Sequence, residues 1–372
     1  MTSVNLSSEQ LRKVNAVITD RSNVFYWQTD RQITQSEAEA IWADRHRYFT
    51  DDEILAKVNS LWQEDQLISL IPIDPASSTN LGSVNSVRVG KTQKGKEVVI
   101  RLHPRGIQNG YFFVEAEAAR QAKALFLPAY ETYLVHMGVD EQDFAFQLIE
   151  KLPGIAVQKW LEIHPEDEQQ LVYEMGKTMA QIHTVSVSGF GPFSNTKAEH
   201  KELCGVHATE RDAILAGLPF NLTELVKESI ITPEQAPKIQ QLFETSTLLS
   251  CEHPVLVHND MPDWNVLTDG KEITGICDWD ECVGGDPIAD IACWSTFFMP
   301  ERIPRFLEGY FSVTKKPDDF DEKFELLRFR YTLSKMTLRV RRYRWQPIES
   351  IRIKIEAGKQ HLALSLQHFD LH

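Results

Sequence analysis

A polar island, HNDMPDWN, interrupts two short apolar runs between Val255 and Leu267. Asn, Asp and Pro are ordinary turn residues, so a turn would account for it. Three of its members carry more. His258, Asp260 and Asn265 form H-x-D-x-x-x-x-N, and Asp278 follows Asn265 by thirteen residues. The stretch GDPIAD then adds Asp286 and Asp290. Phosphoryl transfer from a nucleotide needs such an inventory. One carboxylate must face the acceptor hydroxyl. A second carboxylate and an amide oxygen must hold Mg2+ against the phosphates, because hard cations take oxygen ligands. H-x-D alone recurs by chance, as does D-x-x-x-x-N; the ordered run at these spacings is specific.

The elements around the island must bring these groups together. A hairpin loop between strands would set Asp260 and Asn265 on one side, and a following strand pair, including EITGICDWD, would return Asp278 beside them. Upstream, LISLIPI, SVNSVRV and EVVIRLH are rich in β-branched residues and predict consecutive antiparallel strands. FFVEAEAARQAKALFLPAY predicts a helix through its Ala-rich middle, with Pro128 marking its end. DFAFQLIEKLPG predicts a strand broken at Pro153-Gly154. After that the chain turns mainly helical, with Leu171, Met175, Met179 and Ile182 on one core stripe. Before it, DDEILAKVNSLW predicts a helix with Asp51 and Asp52 as cap candidates and Ile54, Val58 and Leu61 on one face.

These texture changes divide the chain into residues 1–66, a helical extension; 67–150, a small β-rich lobe; and 151–372, a larger helical lobe. Gly90-Lys91-Thr92 imitates the end of a phosphate-binding P-loop, but Asn85 stands where that motif needs Gly, and QKGKEVVIRL turns back into a strand. It reads as a hairpin tip. RVRRYRW, at 339–345, reads as a solvated face that pairs with the acidic surface.

Bulk properties exclude several classes. A net charge of −14 argues against a general nucleic-acid binder. It is compatible with a cationic ligand, although acidity also serves solubility. The five cysteines make no CxxC pair, so neither a zinc site nor a disulfide framework is indicated. No signal peptide or membrane-spanning run stands out, and a reducing, cytoplasmic setting without membrane association is expected. Oligomeric state is not legible.

The stretches LVHNDMPDWNVLTDG, ITGICDWDECVGGDPIADIA and GFGPF resemble the aminoglycoside phosphotransferase family, small-molecule kinases related to choline and homoserine kinases. The resemblance covers about residues 67–300. It implies an α+β, bilobal, protein-kinase-like fold with a small antiparallel N-lobe that binds nucleotide and a helical C-lobe that binds the acceptor. It also implies roles. Asp260 is similar to the catalytic Asp that orients or deprotonates the acceptor hydroxyl, and Asn265 and Asp278 to the Mg2+ ligands. His258 resembles the structural His of the loop. Asp286 and Asp290 look like scaffold residues, with Asp290 bonding loop backbone.

In the small lobe, VVIRLH resembles the strand that carries a phosphate-contacting cation, here Arg101, where relatives commonly have Lys. Its helix partner is Glu115 or Glu117; two residues apart on a helix, only one can face Arg101. The family pattern favours Glu115. SSTNLGSVNSV occupies the place of the phosphate-covering loop, with Ser83 and Asn85 as donors, although Gly82 is its only glycine. QLIEKLPG looks like the connection between lobes, where adenine would meet backbone near Ile149. The activity implied is Mg-dependent transfer of the γ-phosphate of ATP or GTP to a hydroxyl of an aminoglycoside-like or other polar, amine-bearing molecule. Asp263, Asp280 and Glu281 are read either as an acidic acceptor site or as solvent-facing residues. Two rival readings are a kinase-fold binding protein without catalysis and a kinase of protein side chains.

Overall fold

The computed structural model describes residues 49–72, 85–103, 111–139, 142–298, 300–345, 347 and 349–371. The first lobe runs α1 (Asp51–Leu61), β1 (Leu67–Pro72), β2 (Ser86–Thr92), β3 (Glu97–Leu102), α2 (Tyr111–Ala124), β4 (Thr132–His136) and β5 (Phe146–Glu150). Its five strands form one antiparallel sheet in the order β1-β2-β3-β5-β4. Strand side chains alternate faces. Val98, Ile100, Leu102, Phe146 and Leu148 therefore share one face, where they pack with Ile54, Val58 and Trp62 of the α1 segment. Val99 and Ile149 take the other face, toward α2. Arg101 and Gln147 follow the same alternation and are opposite one another across β3 and β5. Gly90-Lys91-Thr92 lies within β2, and the hairpin turn follows it at residues 93–96, with Gly95 at φ +82°.

The cap of α1 differs from expectation. Thr50, not Asp51 or Asp52, is the N-cap: its Oγ1 accepts from the Glu53 N–H at 3.2 Å, and the Thr50 N–H donates to Glu53 Oε2 at 3.0 Å. A reciprocal capping box satisfies two orphan groups at once, which an aspartate one residue inside the helix cannot do. Ile54 and Val58 are buried as expected, but Leu61 is exposed and Trp62 fills the position instead. The described part of the N-terminal segment thus docks on the small lobe. Lys57 reaches Asp143, which also binds His136 at 2.7 Å, and the Asn59 amide brackets Leu67 with two hydrogen bonds.

The second lobe contains β6 (Ile155–Ala156), α3 (Val157–Ile163), α4 (Glu168–Ile182), β7 (Phe190–Phe193), α5 (Asn195–Glu199), β8 (Gly205–His207), α6 (Glu210–Leu215), α7 (Leu218–Lys227) and α8 (Gln235–Thr245). Then come β9 (Val255–Val257), β10 (Val266–Thr268), β11 (Ile273–Ile276), β12 (Val283–Gly285), α9 (Pro287–Ser295), α10 (Ile303–Phe311), α11 (Phe320–Trp345) and α12 (Glu349–His368). The architecture is α+β and bilobal. Leu171, Met175, Met179 and Ile182 of α4 are all fully buried. Helix α10 lies directly on α4 where Gly176 faces Phe306 and Gly309 faces Tyr173; a methyl group at either glycine would meet backbone oxygen at 2.1 or 2.0 Å.

The island is not a hairpin loop. β9 pairs with β12 in a four-stranded sheet, β8-β7-β12-β9, whereas β10 pairs with β11 and β6 in a separate three-stranded sheet. The residues 258–265 bridge the two sheets, so each end of the loop is anchored in a different set of strands. The basic cluster at 339–345 pairs with two carboxylates at the C-terminal end of α7: Arg344 binds Glu224 and Glu228, and Arg341 lies 3.8 Å from Glu224. Among the described residues no helix is long and apolar enough to cross a membrane.

Candidate active site

The island is held from below by one buried carboxylate. Asp290 on α9 accepts from the His258 N–H at 2.7 Å and the Asn259 N–H at 2.9 Å. His183 Nε2 lies 3.1 Å from the same carboxylate, and its Nδ1 meets the Tyr310 hydroxyl at 2.7 Å. Burial opposes the Asp290 charge, but His183 and these N–H donors more than compensate and hold its pKa below the usual carboxylate range. Asn259 accordingly sits at φ +66°, in the left-handed region that Asn tolerates.

His258 carries the link onward. Its Nδ1 accepts from the Asp260 N–H at 3.3 Å, which leaves Nε2 to donate to the Cys277 carbonyl at 3.2 Å. The ring packs on Trp279, and burial lowers its pKa, so the neutral tautomer is the one the site uses. The expected support role for His258 thus has a definite form: it fastens the residue before Asp278 to the loop that carries Asp260.

Asn265 is tied by backbone to Cys277, the residue before Asp278. The Cys277 N–H donates to the Asn265 carbonyl at 2.8 Å. The Asn265 amide nitrogen donates to Asp260 Oδ2 and to the Asp260 carbonyl, each at 3.0 Å. That uses the nitrogen and leaves the amide oxygen as the atom a cation would meet. Asp278 lies at φ +64° with its carboxylate half-exposed. Burial, reinforced by the Asp278 charge, raises the Asp260 pKa to about 6, with Lys335, Asn265 and Lys354 acting in the opposite sense. Asp280 is pushed well above the usual range by burial and by the charges of Asp278 and Glu115.

Arg101 of the first lobe reaches this site. Arg101 Nη2 binds Asp278 Oδ1 at 2.5 Å, while Nη1 pairs with Glu115 and lies 3.3 Å from Gln147 Oε1. Burial works against the guanidinium charge, but Glu115 and Asp278 raise its pKa well above the ordinary value. Glu117 points elsewhere, to Arg120 and Gln121 at 2.6 and 2.7 Å. Helix α2 is fixed to the second lobe by Tyr111, whose hydroxyl donates to the Cys282 carbonyl at 2.6 Å.

The remaining sequence-predicted residues fall as follows. Asn85 is buried just before β2, with its side-chain oxygen 3.1 Å from His103 Nδ1. Ser83 lies outside the described residues. Ile149 is buried in β5, flanked by Val99 and Thr132, and belongs to the same core as Val266 and Ile276. Asp263 does not line an open acidic surface: Arg302 binds it at 2.9 Å. Asp286 caps α9 through the Ile288 N–H at 2.7 Å and pairs with buried Lys323 at 2.5 Å. Among the described residues no cluster of three or more His, Cys, Asp or Glu is arranged to hold a metal. The oxygen donors on hand are one amide and one carboxylate, Asn265 and Asp278, a set that suits a hard cation shared with phosphate oxygens.

The sequence reading expected helices to the C-terminus but did not bring any of their side chains to this loop. Lys335 on α11 lies over the Phe297 ring, and Lys354 on α12 over the Trp264 ring. No motif marks them, and each lies seventy or more residues from the island in sequence.

The sequence profile of the phosphotransferase enzyme family matches residues 80–323. A hygromycin-B 4-O-kinase of Escherichia coli is 25% identical over 204 residues, 53% of this chain and 57% of that protein, so the match spans little more than half of the relative's length. The fold is similar to that of a thermostable mutant of aminoglycoside phosphotransferase APH(4)-Ia in ternary complex with AMP-PNP and hygromycin B. The TM-score is 0.59 at 16% identity, covering 84% of this chain and 98% of that one. A putative fructosamine-3-kinase from Thermobifida fusca aligns with a TM-score of 0.57 at 15% identity, covering 84% of this chain and 100% of the other. With the family profile spanning more than half of its length and the kinase-type loop in place, the chain belongs to the aminoglycoside phosphotransferase family of phosphotransferase enzymes.

Proposed function

We propose that this chain moves the γ-phosphate of ATP or GTP to a hydroxyl of a small molecule. The observation that carries the reading is the chain of contacts from Glu115 through Arg101 to Asp278, and from the adjoining Cys277 N–H through Asn265 to Asp260, which joins the first lobe to the island loop. In this reading residues 67–150, with α1 attached, bind the nucleotide, and residues 151–372 bind the acceptor. Asp260 faces the acceptor hydroxyl, aligns it and takes its proton as the new O–P bond forms. A carboxylate whose pKa is raised to about 6 suits that exchange at neutral pH. Asn265 and Asp278 hold Mg2+, which when bound neutralises phosphate charge.

Arg101 contacts phosphate from the first lobe, and its planar fork allows it to keep Glu115 at the same time. Asn85 gives its oxygen to His103 and so retains amide N–H groups for phosphate; Ser83 is assigned the same work. Ile149 and the backbone that follows it adjoin the adenine ring. Catalysis then rests on alignment and charge, with no covalent intermediate on the protein. The acceptor named for the relatives favours a second, finer reading, an aminoglycoside-like or other amine-bearing molecule.

The test is a transfer screen with Mg·ATP and Mg·GTP over aminoglycosides, choline-like amines, amino alcohols and nucleosides. Transfer to at least one hydroxyl, lost in Asp260→Ala, is expected. A nucleotide-dependent thermal shift with no transfer to any acceptor or to water would instead favour a binding protein.

A further inference from the structure

The peptide unit that leads into Asp260 is held at both ends. Its N–H, that of Asp260, donates to His258 Nδ1 at 3.3 Å. Its carbonyl, that of Asn259, accepts from the Cys293 thiol, with Sγ 2.9 Å from the oxygen. Among the described residues no other group donates to this carbonyl. A peptide unit is planar, so holding both ends fixes the plane from which the Asp260 Cα and side chain continue.

Cys293 stands three residues after Asp290 on α9, so the two side chains share one face of that helix. Asp290 Oδ1 accepts the Asn259 N–H at 2.9 Å, and Cys293 supplies the donor for the Asn259 carbonyl. One turn of one helix therefore holds both backbone polar groups of a residue at φ +66°, a conformation that costs energy in any residue with a Cβ. The support is firm. Every residue from Ile288 to Ser295 is buried, and the Thr296 N–H and hydroxyl both donate to the Cys293 carbonyl, at 3.0 and 2.7 Å.

The thiol suits the task. Burial raises its pKa above the ordinary thiol range; Lys335 opposes this, and the charges of Asp290, Asp260 and Glu281 reinforce it. The sulfur thus keeps the proton it donates. Without that donor a buried carbonyl would be left unpaired, which favours a tilt of the 259–260 plane toward another partner. Such a tilt would displace the Asp260 carboxylate from the Asn265 amide that donates to it at 3.0 Å.

Resting on the phosphotransferase reading above, we propose that Cys293 is a positioning residue for Asp260: its thiol holds the Asn259 carbonyl and, with His258 at the other end, sets the plane of the peptide that presents the Asp260 carboxylate to the acceptor.

The pair Asn-Asp occurs once in the sequence, at 259–260. Protein labelled with carbon-13 at the Asn carbonyls and nitrogen-15 at the Asp amides therefore gives a single carbonyl-to-amide NMR correlation, from this peptide. Cys293→Ala and Cys293→Val lack the donor and should move that signal; Cys293→Ser keeps a donor and should bring it back toward the wild-type position. Ser295→Ala removes another buried donor of α9, one that reaches the Ala292 carbonyl at 2.7 Å, and should leave the signal in place. Single-turnover transfer from Mg·ATP, to the acceptor found in the screen or to water, should slow about tenfold without the donor and stay within about threefold of wild type in Cys293→Ser. Mg·AMP-PNP affinity should change less than about threefold in every variant. Packing alone would rank the variants the other way, because a buried hydroxyl suits an apolar site less well than a methyl group. Ala and Val differ in volume, so either one that folds decides.

A signal that stays in place without the donor, that Cys293→Ser fails to restore, or that Ser295→Ala moves as far overturns the proposal. So does wild-type transfer in a folded donor-less variant, or a loss of nucleotide affinity parallel to the loss of rate. A wild-type chain that transfers no phosphate rejects the phosphotransferase reading, and the signal still decides whether Cys293 sets the peptide.

Discussion

At the scale of single residues, Arg101 decides how the two lobes communicate. Its guanidinium satisfies Glu115, Gln147 and Asp278 at once. An ammonium is a point charge without that fork, so Lys at this position can keep Glu115 or approach Asp278 but not hold both in the same geometry. Arg101→Lys is therefore expected to fold and to weaken Mg·nucleotide binding by about tenfold, one charge-assisted contact; fluorescence titration with a labelled nucleotide would measure it, and unchanged affinity would remove Arg101 from the phosphate site. This residue and Glu115 were named beforehand from the family resemblance; helix spacing added only that one of Glu115 and Glu117 could face Arg101. Lys335 and Lys354 were not. Their place beside Asp260 depends on how two C-terminal helices pack, and no local pattern encodes that.

At the scale of elements, Asp143 fastens α1 to the first sheet. It accepts from Lys57, His136 and the backbone N–H groups of Val139 and Phe144. Burial pushes its pKa up, but these donors outweigh that and bring it down to about 2. A lowered carboxylate pKa means that the stabilisation is present above the unfolded value, near 4, and disappears as pH falls toward 2. Unfolding monitored from pH 5 to pH 2 should show this loss in the wild type and a shallower slope in Asp143→Asn. The contact of α4 with α10 makes a second prediction. Gly176→Ala places a methyl group on the Phe306 carbonyl and should cost about 1–3 kcal/mol by forcing the helices apart; denaturant midpoints would report it. The Met-containing stripe of α4 was readable from its period, whereas the glycine that lets α10 approach was not, because its partner lies more than a hundred residues away.

At the scale of the whole molecule, the second lobe is braced by one buried cation between two carboxylates. Lys323 on α11 binds Asp286 at 2.5 Å and Glu210 of α6 at 3.0 Å. Asp286 holds the cation more closely, and burial together with the Asp286 charge raises Glu210 to about 7. For a raised carboxylate the stabilisation is complete below the unfolded value and is lost as pH climbs through the folded one. Stability should therefore fall between about pH 4.5 and pH 7 through this group, and Glu210→Gln should flatten that limb of a thermal-denaturation profile.

The lobes and the motif residues were legible in the sequence, and the bilobal α+β fold follows from them. The seating of the island was not. Its flanking strands look like a hairpin locally, and only the pairing of β9 with β12 and of β10 with β6 and β11 reveals a bridge between two sheets. That bridge is what presents Asp260 and Asn265 together while His258 and Asp290 pin the loop beneath them. The central claim is that Asp260 does the chemistry there and Asn265, Asp278 and Arg101 do the holding. The direct measurement is single-turnover transfer from Mg·ATP in Asp260→Asn, with Mg·AMP-PNP affinity measured on the same preparation. The account predicts nucleotide affinity within about threefold of wild type and a transfer rate lower by at least about a hundredfold. Transfer at the wild-type rate, with nucleotide bound, would contradict it.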